Sequence, residues 1–208
     1  MKSLAEEKQI KTDPSHDFNH VTRVLNLATK IGKSVKADLE VIIPAALFHD
    51  IIVYRKDSPQ SRNETEESAE FAGNILNNVA EYPKEKIELV KTCIRQCSFT
   101  KAIVPDLLEA KVLQDADMLE STGAISIIRT FSSGGHMNVP FYNHNKPLIE
   151  KHEKDFRSGV GLFYRRLLLV EKRMHTKLAK TMAKKRTVFL KTFLKQLEGE
   201  LKESDIIK

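Results

Sequence analysis

The chain is sparing with the residues that build disulfide scaffolds and turn-rich sheets: 2 cysteines, 8 glycines and 7 prolines in 208 residues. Two cysteines cannot make a four-thiolate zinc site. Cys93 and Cys97 lie four apart on one predicted helix, where disulfide geometry is poor, so both read as reduced thiols. No strand-length run alternates apolar with polar residues, and no internal repeat or low-complexity tract is present. No apolar stretch approaches the roughly 20 residues that span a bilayer. Met1 to Lys8 carries no apolar core of a signal peptide. These absences argue against secreted disulfide-rich, membrane-spanning and repeat classes, and a soluble cytoplasmic protein is expected.

What remains is an ordinary globular composition, 41% hydrophobic and 30% charged, leaning helical. The length suits one domain with a substantial core. Net charge is +6. Much of the excess falls late, in Arg165-Arg166, Lys172-Arg173, Lys177, Lys180 and Lys184-Lys185-Arg186. Three readings fit it: the solvated face of a long helix, attraction of a polyanion such as nucleic acid, and a positive field that draws in small phosphorylated substrates.

Helical spacing runs through the sequence. Val21, Val24, Leu25, Ala28 and Ile31 mark a first helix starting near Ser15, a good N-cap. A second is expected from about Glu40 to Tyr54, apolar nearly all round, with Pro44 tolerated in its first turn. The polar segment Arg55 to Glu64, with Pro59, reads as a loop. Further helices are expected over about Thr65–Asn78, Lys84–Gln96 and Pro105 or Leu107 towards Phe131. Ser132-Ser133-Gly134-Gly135 breaks the pattern and opens a long loop to Pro147, with His136 and His144 exposed. Two more helices fill Glu150 to about Leu201. The fold class is all-α. Residues 1–208 form a single helical domain, its core over about 15–131 and its C-terminal helices, about 150–203, packing on it.

Chemistry concentrates in a few polar groups set in apolar surroundings. His49-Asp50 ends the run Val41-Ile42-Ile43-Pro44-Ala45-Ala46-Leu47-Phe48. His20 and Asp117 sit in comparable settings. Burying an imidazole or carboxylate in such a segment is costly without compensation. A bound cation supplies it by making both groups ligands. On helices, His16 and His20 share a face, and His49 and Asp50 diverge by about 100°. His20, His49, Asp50 and Asp117 therefore make an N₂O₂ set drawn from three helices, with the metal site between them. Those donors suit Mn²⁺, Fe²⁺, Zn²⁺ or Co²⁺, with Mg²⁺ less at home beside two imidazoles. Such an ion activates water and polarises a phosphoryl group. Each signal has a plain alternative: a lone apolar-face histidine is commonly a satisfied core residue, and His16-Asp17 repeats the dipeptide in this same chain.

The wording around these residues resembles the HD superfamily of metal-dependent phosphohydrolases. His16-Asp17-Phe18-Asn19-His20-Val21-Thr22-Arg23-Val24 is similar to its opening HD-x-x-H-x-x-R-V pattern, and Ala45 to Ile52 to its AALLHDI segment. Leu113 to Leu119, then Gly123-Ala124-Ile125 and Ile128-Arg129-Thr130-Phe131, resembles the DADRLDA and GAIGIARTF block of one bacterial and archaeal subgroup. Ser133-Gly134-Gly135 matches that subgroup's Gly-Gly loop, and the stretches around Phe163-Tyr164-Arg165-Arg166 and Met174-His175-Thr176 resemble its tail. The resemblance covers nearly the whole chain. It implies an HD-domain helical bundle holding a divalent ion on His20, His49, Asp50 and Asp117. The substrate it implies is a small phosphorylated metabolite, foremost a nucleotide.

Asp50 is the catalytic candidate, to orient or deprotonate water. Arg23, Arg55, Lys56 and Arg129 are candidates to hold phosphate; each has an ion pair or a solvated loop as its alternative. Glu64, Glu66 and Glu67 read as a solvated helix start favoured by the helix dipole, with an acid or base role as the alternative. Met118 stands where the subgroup carries Arg, Glu120 where it carries Asp, and Cys97 where a His is common. These departures motivate a second hypothesis, a catalytically weak metal- or nucleotide-binding regulatory module. A third is nucleic-acid binding through the basic C-terminal helices. No membrane partner is expected, and the oligomeric state, a homo-oligomer included, stays open.

Overall fold

The computed structural model describes residues 1–8, 17–54, 58–98, 103–143, 147–148 and 158–207. Among them are nine α-helices and no strand. None is long and apolar enough to cross a membrane. They fall into two compact units, Met1–Met118 and Leu119–Lys208.

The first unit contains α1 (Lys2–Lys8), α2 (Phe18–Val35), α3 (Leu39–Phe48), α4 (Glu64–Asn77), α5 (Ile87–Gln96) and all but the last residue of α6 (Leu108–Leu119). Short 3₁₀ turns at Pro59–Arg62 and Lys84–Lys86 lead into α4 and α5. The helix α3 is central. Seven of its ten residues are buried, and α1, α2, α4 and α5 all pack on it. At Gly32 of α2 a β-carbon would lie 2.7 Å from Ile42 Cδ1, so this position lets α2 and α3 approach closely.

Two boundaries and the place of one proline differ from the sequence expectation in the first unit. The described part of α2 begins after Asp17, whose extended backbone and Oδ1, accepting from His20 N–H at 2.9 Å, make it the N-cap. Ser15 and His16 lie outside the described residues. The helix α3 ends at Phe48 rather than Tyr54. Pro44 falls in its second turn, where the missing N–H orphans the Glu40 carbonyl. The Tyr82 hydroxyl donates to that carbonyl at 2.9 Å and repairs the gap.

In the second unit, α7 (Ala124–His136), α8 (Gly159–Arg165), a 3₁₀ stretch over Leu167–Arg173 and α9 (Lys177–Glu203) surround Val160, Phe163, Leu167, Leu190 and Leu194. The helix expected to run from about Leu107 to Phe131 is interrupted by Gly123, whose φ of +80° belongs to the left-handed region. A side chain there would also meet the Arg186 stem at 3.0–3.2 Å. Ser132-Ser133-Gly134-Gly135, expected to break the chain, lies inside α7. That helix closes on Asn138, at φ +54°, with Val139 N–H donating to Gly134 O at 2.8 Å.

Candidate metal centre

Three elements of the first unit deliver four polar side chains to one place. The helix α2 supplies His20 from its first turn, where the Asp17 cap fixes the backbone. The end of α3 supplies His49, and the turn after it supplies Asp50. The last turn of α6 supplies Asp117.

Both imidazoles are buried, at 0% and 2% exposure, while the Asp50 and Asp117 side chains keep 26% and 25%. The arrangement is a floor of nitrogen donors and a solvent-reaching rim of carboxylates. His20 Nε2 lies 3.4 Å from Asp50 Oδ2 and 3.6 Å from Asp117 Oδ1, and His49 Nε2 lies 3.6 Å from Asp50 Oδ2. One donor atom each from His20, His49 and Asp117 fits within 4.8 Å of the others. The imidazole centroids are 5.4 Å apart and the rings tilted by 58°, so the two do not stack.

The tautomer of His49 follows from its neighbour. Its Nδ1 lies 2.9 Å from the Ala46 carbonyl, which can only accept, so Nδ1 carries the proton. Nε2 of the neutral ring then presents a lone pair. That atom is buried with no hydrogen-bond partner. An orphaned, inward-facing lone pair among carboxylate oxygens is what a divalent ion would satisfy, and a backbone carbonyl holding the other ring nitrogen is the usual support for a ligating histidine. Ligand bonds of about 2.1 Å place neighbouring donors about 3 Å apart and opposite ones about 4 Å apart, close to the spacings here. The residues fit a metal. The expected geometry of the pair changes, however: His49 caps α3 and Asp50 stands beyond it, so they are not successive positions of one helix.

The comparisons with known proteins identify the family. The family model for the HD domain matches residues 17–122, a span that includes all four residues. The chain belongs to the HD family. It is 32% identical over 216 aligned positions to the Bacillus subtilis protein YpgQ, covering 97% of this chain and 96% of that one. The crystal structure of YpgQ in complex with ADP aligns with a TM-score of 0.72 at 27% identity, covering 96% of this chain and 92% of that one. A Bacillus thuringiensis protein described as an HD-superfamily hydrolase aligns at 0.74 and 26% identity, covering 97% and 94%.

In this HD protein the second His-Asp dipeptide separates cleanly from the first, since Asp17 is a helix cap. Of the phosphate candidates, Arg23 is half-buried on α2, three residues after His20. Arg129 is half-buried on α7 in the second unit. Arg55 and Lys56 lie outside the described residues, as does His144; His136 is exposed at the end of α7. Met118 and Cys97 are both buried, so each departure from the subgroup is a change within the packed interior.

The sequence reading missed what the start of α4 does. Glu64 and Glu67, read as a solvated turn, bond Tyr54: its N–H donates to Glu64 Oε1 at 2.7 Å and its hydroxyl to Glu67 Oε2 at 2.6 Å. Ser68 Oγ, one position on, accepts from Ile52 N–H at 3.2 Å. The spacing of 64, 67 and 68 put them on one helix face, which was the available signal.

Proposed function

We propose that this HD protein is a metal-dependent phosphohydrolase acting on a small phosphorylated metabolite, with nucleotides as the substrate class. The observation that carries the reading is the convergence of two buried imidazole nitrogens with two partly exposed carboxylates, one imidazole nitrogen having no hydrogen-bond partner. The ADP complex of its relative YpgQ supports the nucleotide class.

His20, His49, Asp50 and Asp117 would hold the ion, with Mn²⁺, Fe²⁺, Zn²⁺, Co²⁺ or Mg²⁺ as the metals to test. When bound, a divalent ion there supplies Lewis acidity to water and to phosphoryl oxygen. His49, fixed through Nδ1, presents Nε2 in one orientation. Asp50, on the exposed rim, orients the attacking water and accepts its proton. Arg23, Arg55, Lys56 and Arg129 are the cationic groups proposed to hold phosphate oxygens. A cytoplasmic setting suits the two buried free thiols.

The test is metal analysis of the purified protein, then chelation, metal add-back and a screen of nucleotides and phosphomonoesters that separates phosphate from pyrophosphate release. His49→Ala and Asp50→Ala should lose bound metal and lower turnover by about two orders of magnitude or more. Full turnover by a metal-free variant would overturn the reading. Stoichiometric metal without turnover on any substrate would instead favour the regulatory module.

A second reading, polyanion binding along α9, is favoured by one observation. Lys177, Lys180, Lys184, Lys185, Lys191 and Lys195 are all exposed, and none has a carboxylate partner among the described residues.

A further inference from the structure

Asp50 raises a question of position that His20, His49 and Asp117 do not. Those three are held by helical backbone or by a helix cap, and the His49 ring is pinned on the Ala46 carbonyl. The chain beyond His49 leaves α3, with Ile51 N–H reaching back to Phe48 O at 3.2 Å. A carboxylate on such a segment is only as well placed as the groups that satisfy the segment's own amides.

For Ile52 and Tyr54 those groups come from one face of α4. Ser68, fully buried, accepts from Ile52 N–H, Glu64 accepts from Tyr54 N–H, and Glu67 accepts from the Tyr54 hydroxyl. Two backbone donors and one phenol are thus collected by positions i, i+3 and i+4 of a single helix turn. Two of the three acceptors are carboxylates, which make the shorter and stronger bonds of the set, at 2.7 and 2.6 Å.

We propose that this face of α4 is the positioning element for Asp50. Glu64, Glu67 and Ser68 act as positioning residues that hold residues 52–54 and thereby fix the Asp50 carboxylate against the two imidazole nitrogens. The inference rests on the metal reading above. It also assigns Tyr54 a role the sequence did not signal: its hydroxyl is the far anchor of the segment.

The test needs no substrate. Mn²⁺ binding is measured calorimetrically on the whole chain, beside the thermal midpoint of the metal-free protein, for Glu64→Ala, Glu64→Gln, Tyr54→Phe and Ser68→Ala. Loss of support behind a metal ligand should weaken Mn²⁺ affinity about 10- to 100-fold in Glu64→Ala. Glu64→Gln, which keeps an acceptor for the Tyr54 amide, should recover most of it. Tyr54→Phe should weaken Mn²⁺ binding in the same direction. A merely structural contact would lower the thermal midpoint and leave Mn²⁺ affinity at the wild-type value, and that result overturns the inference alone. Wild-type protein that binds no Mn²⁺, Zn²⁺ or Fe²⁺ would overturn the metal reading and this inference together. If Glu64→Ala does not fold, Tyr54→Phe and Ser68→Ala give the same comparison with smaller perturbations.

Discussion

At the scale of single residues, Pro44 shows how this chain places an otherwise disruptive residue next to its site. A proline in the second turn removes the donor that Glu40 O requires, and Tyr82, 38 positions later, supplies an O–H in its place. The Tyr82 side chain is buried, so removing the hydroxyl leaves the carbonyl without a partner that water readily replaces. Tyr82→Phe should therefore lower stability by about 1–2 kcal/mol in urea denaturation. Pro44→Ala should make the same hydroxyl dispensable, so that adding Tyr82→Phe to it costs little. Equal losses from Tyr82→Phe in both backgrounds would show that the bond does not compensate for the proline. The same scale explains what was legible in the site. His20, His49, Asp50 and Asp117 were readable because polar residues in apolar segments are conspicuous. That Asp17 caps a helix while Asp50 faces the imidazoles was not readable, since the two dipeptides are identical and only the backbone distinguishes them.

At the scale of elements, helix existence was legible and helix ends were less so. Periodicity revealed α2 to α6 and the C-terminal pair, because each buries an apolar stripe whose spacing is set by the helix itself. The ends depend on competing partners: His49 Nδ1 on Ala46 O at the end of α3, the left-handed φ of Gly123 between α6 and α7, and Asn138 after a Gly pair that stays helical. The long helix α9 shows what an element's unused face can offer. Lys177, Lys180, Lys184, Lys191 and Lys195 fall within about 60° of one another over about 27 Å. Residues 177–197 contain no Asp or Glu. In the first unit, by contrast, Lys86 is paired with Asp38 and Glu40, and Arg95 with Glu66 and Glu70. If this stripe meets a polyanion, affinity for a 20-base-pair DNA duplex, measured by fluorescence anisotropy, should fall about 10²- to 10³-fold between 50 and 200 mM salt. The triple variant Lys180→Glu, Lys184→Glu, Lys191→Glu should abolish the binding. No binding at 50 mM salt would leave the stripe as a solvated face.

At the scale of the molecule, the first unit's interior sets an alkaline limit on the fold. Burial pushes the Cys93 thiol from its ordinary 9.0 up to about 12, with the Glu109 carboxylate adding to the shift. Burial likewise moves the Tyr82 phenol from 10.0 up to about 12, against the opposing influence of Lys86. In both cases the folded chain holds its proton more tightly than the unfolded one. The stabilisation is fully present below the unfolded value and is lost as pH rises towards the folded value. For Cys93 the window opens near pH 9, ahead of the phenol and of the lysines. Stability should begin to fall above pH 9, by up to about 1.4 kcal/mol per pH unit for this one group. Urea midpoints followed by circular dichroism between pH 7 and 10.5 should show that decline in the wild type. Cys93→Ala should start lower at pH 7, because it opens space in a packed core, and then decline less steeply. Parallel curves for the two proteins would mean that Cys93 is not the group responsible. The thiol makes a second, independent reporter: fully buried, it should resist a maleimide at pH 8 in the folded protein and react once urea unfolds the first unit.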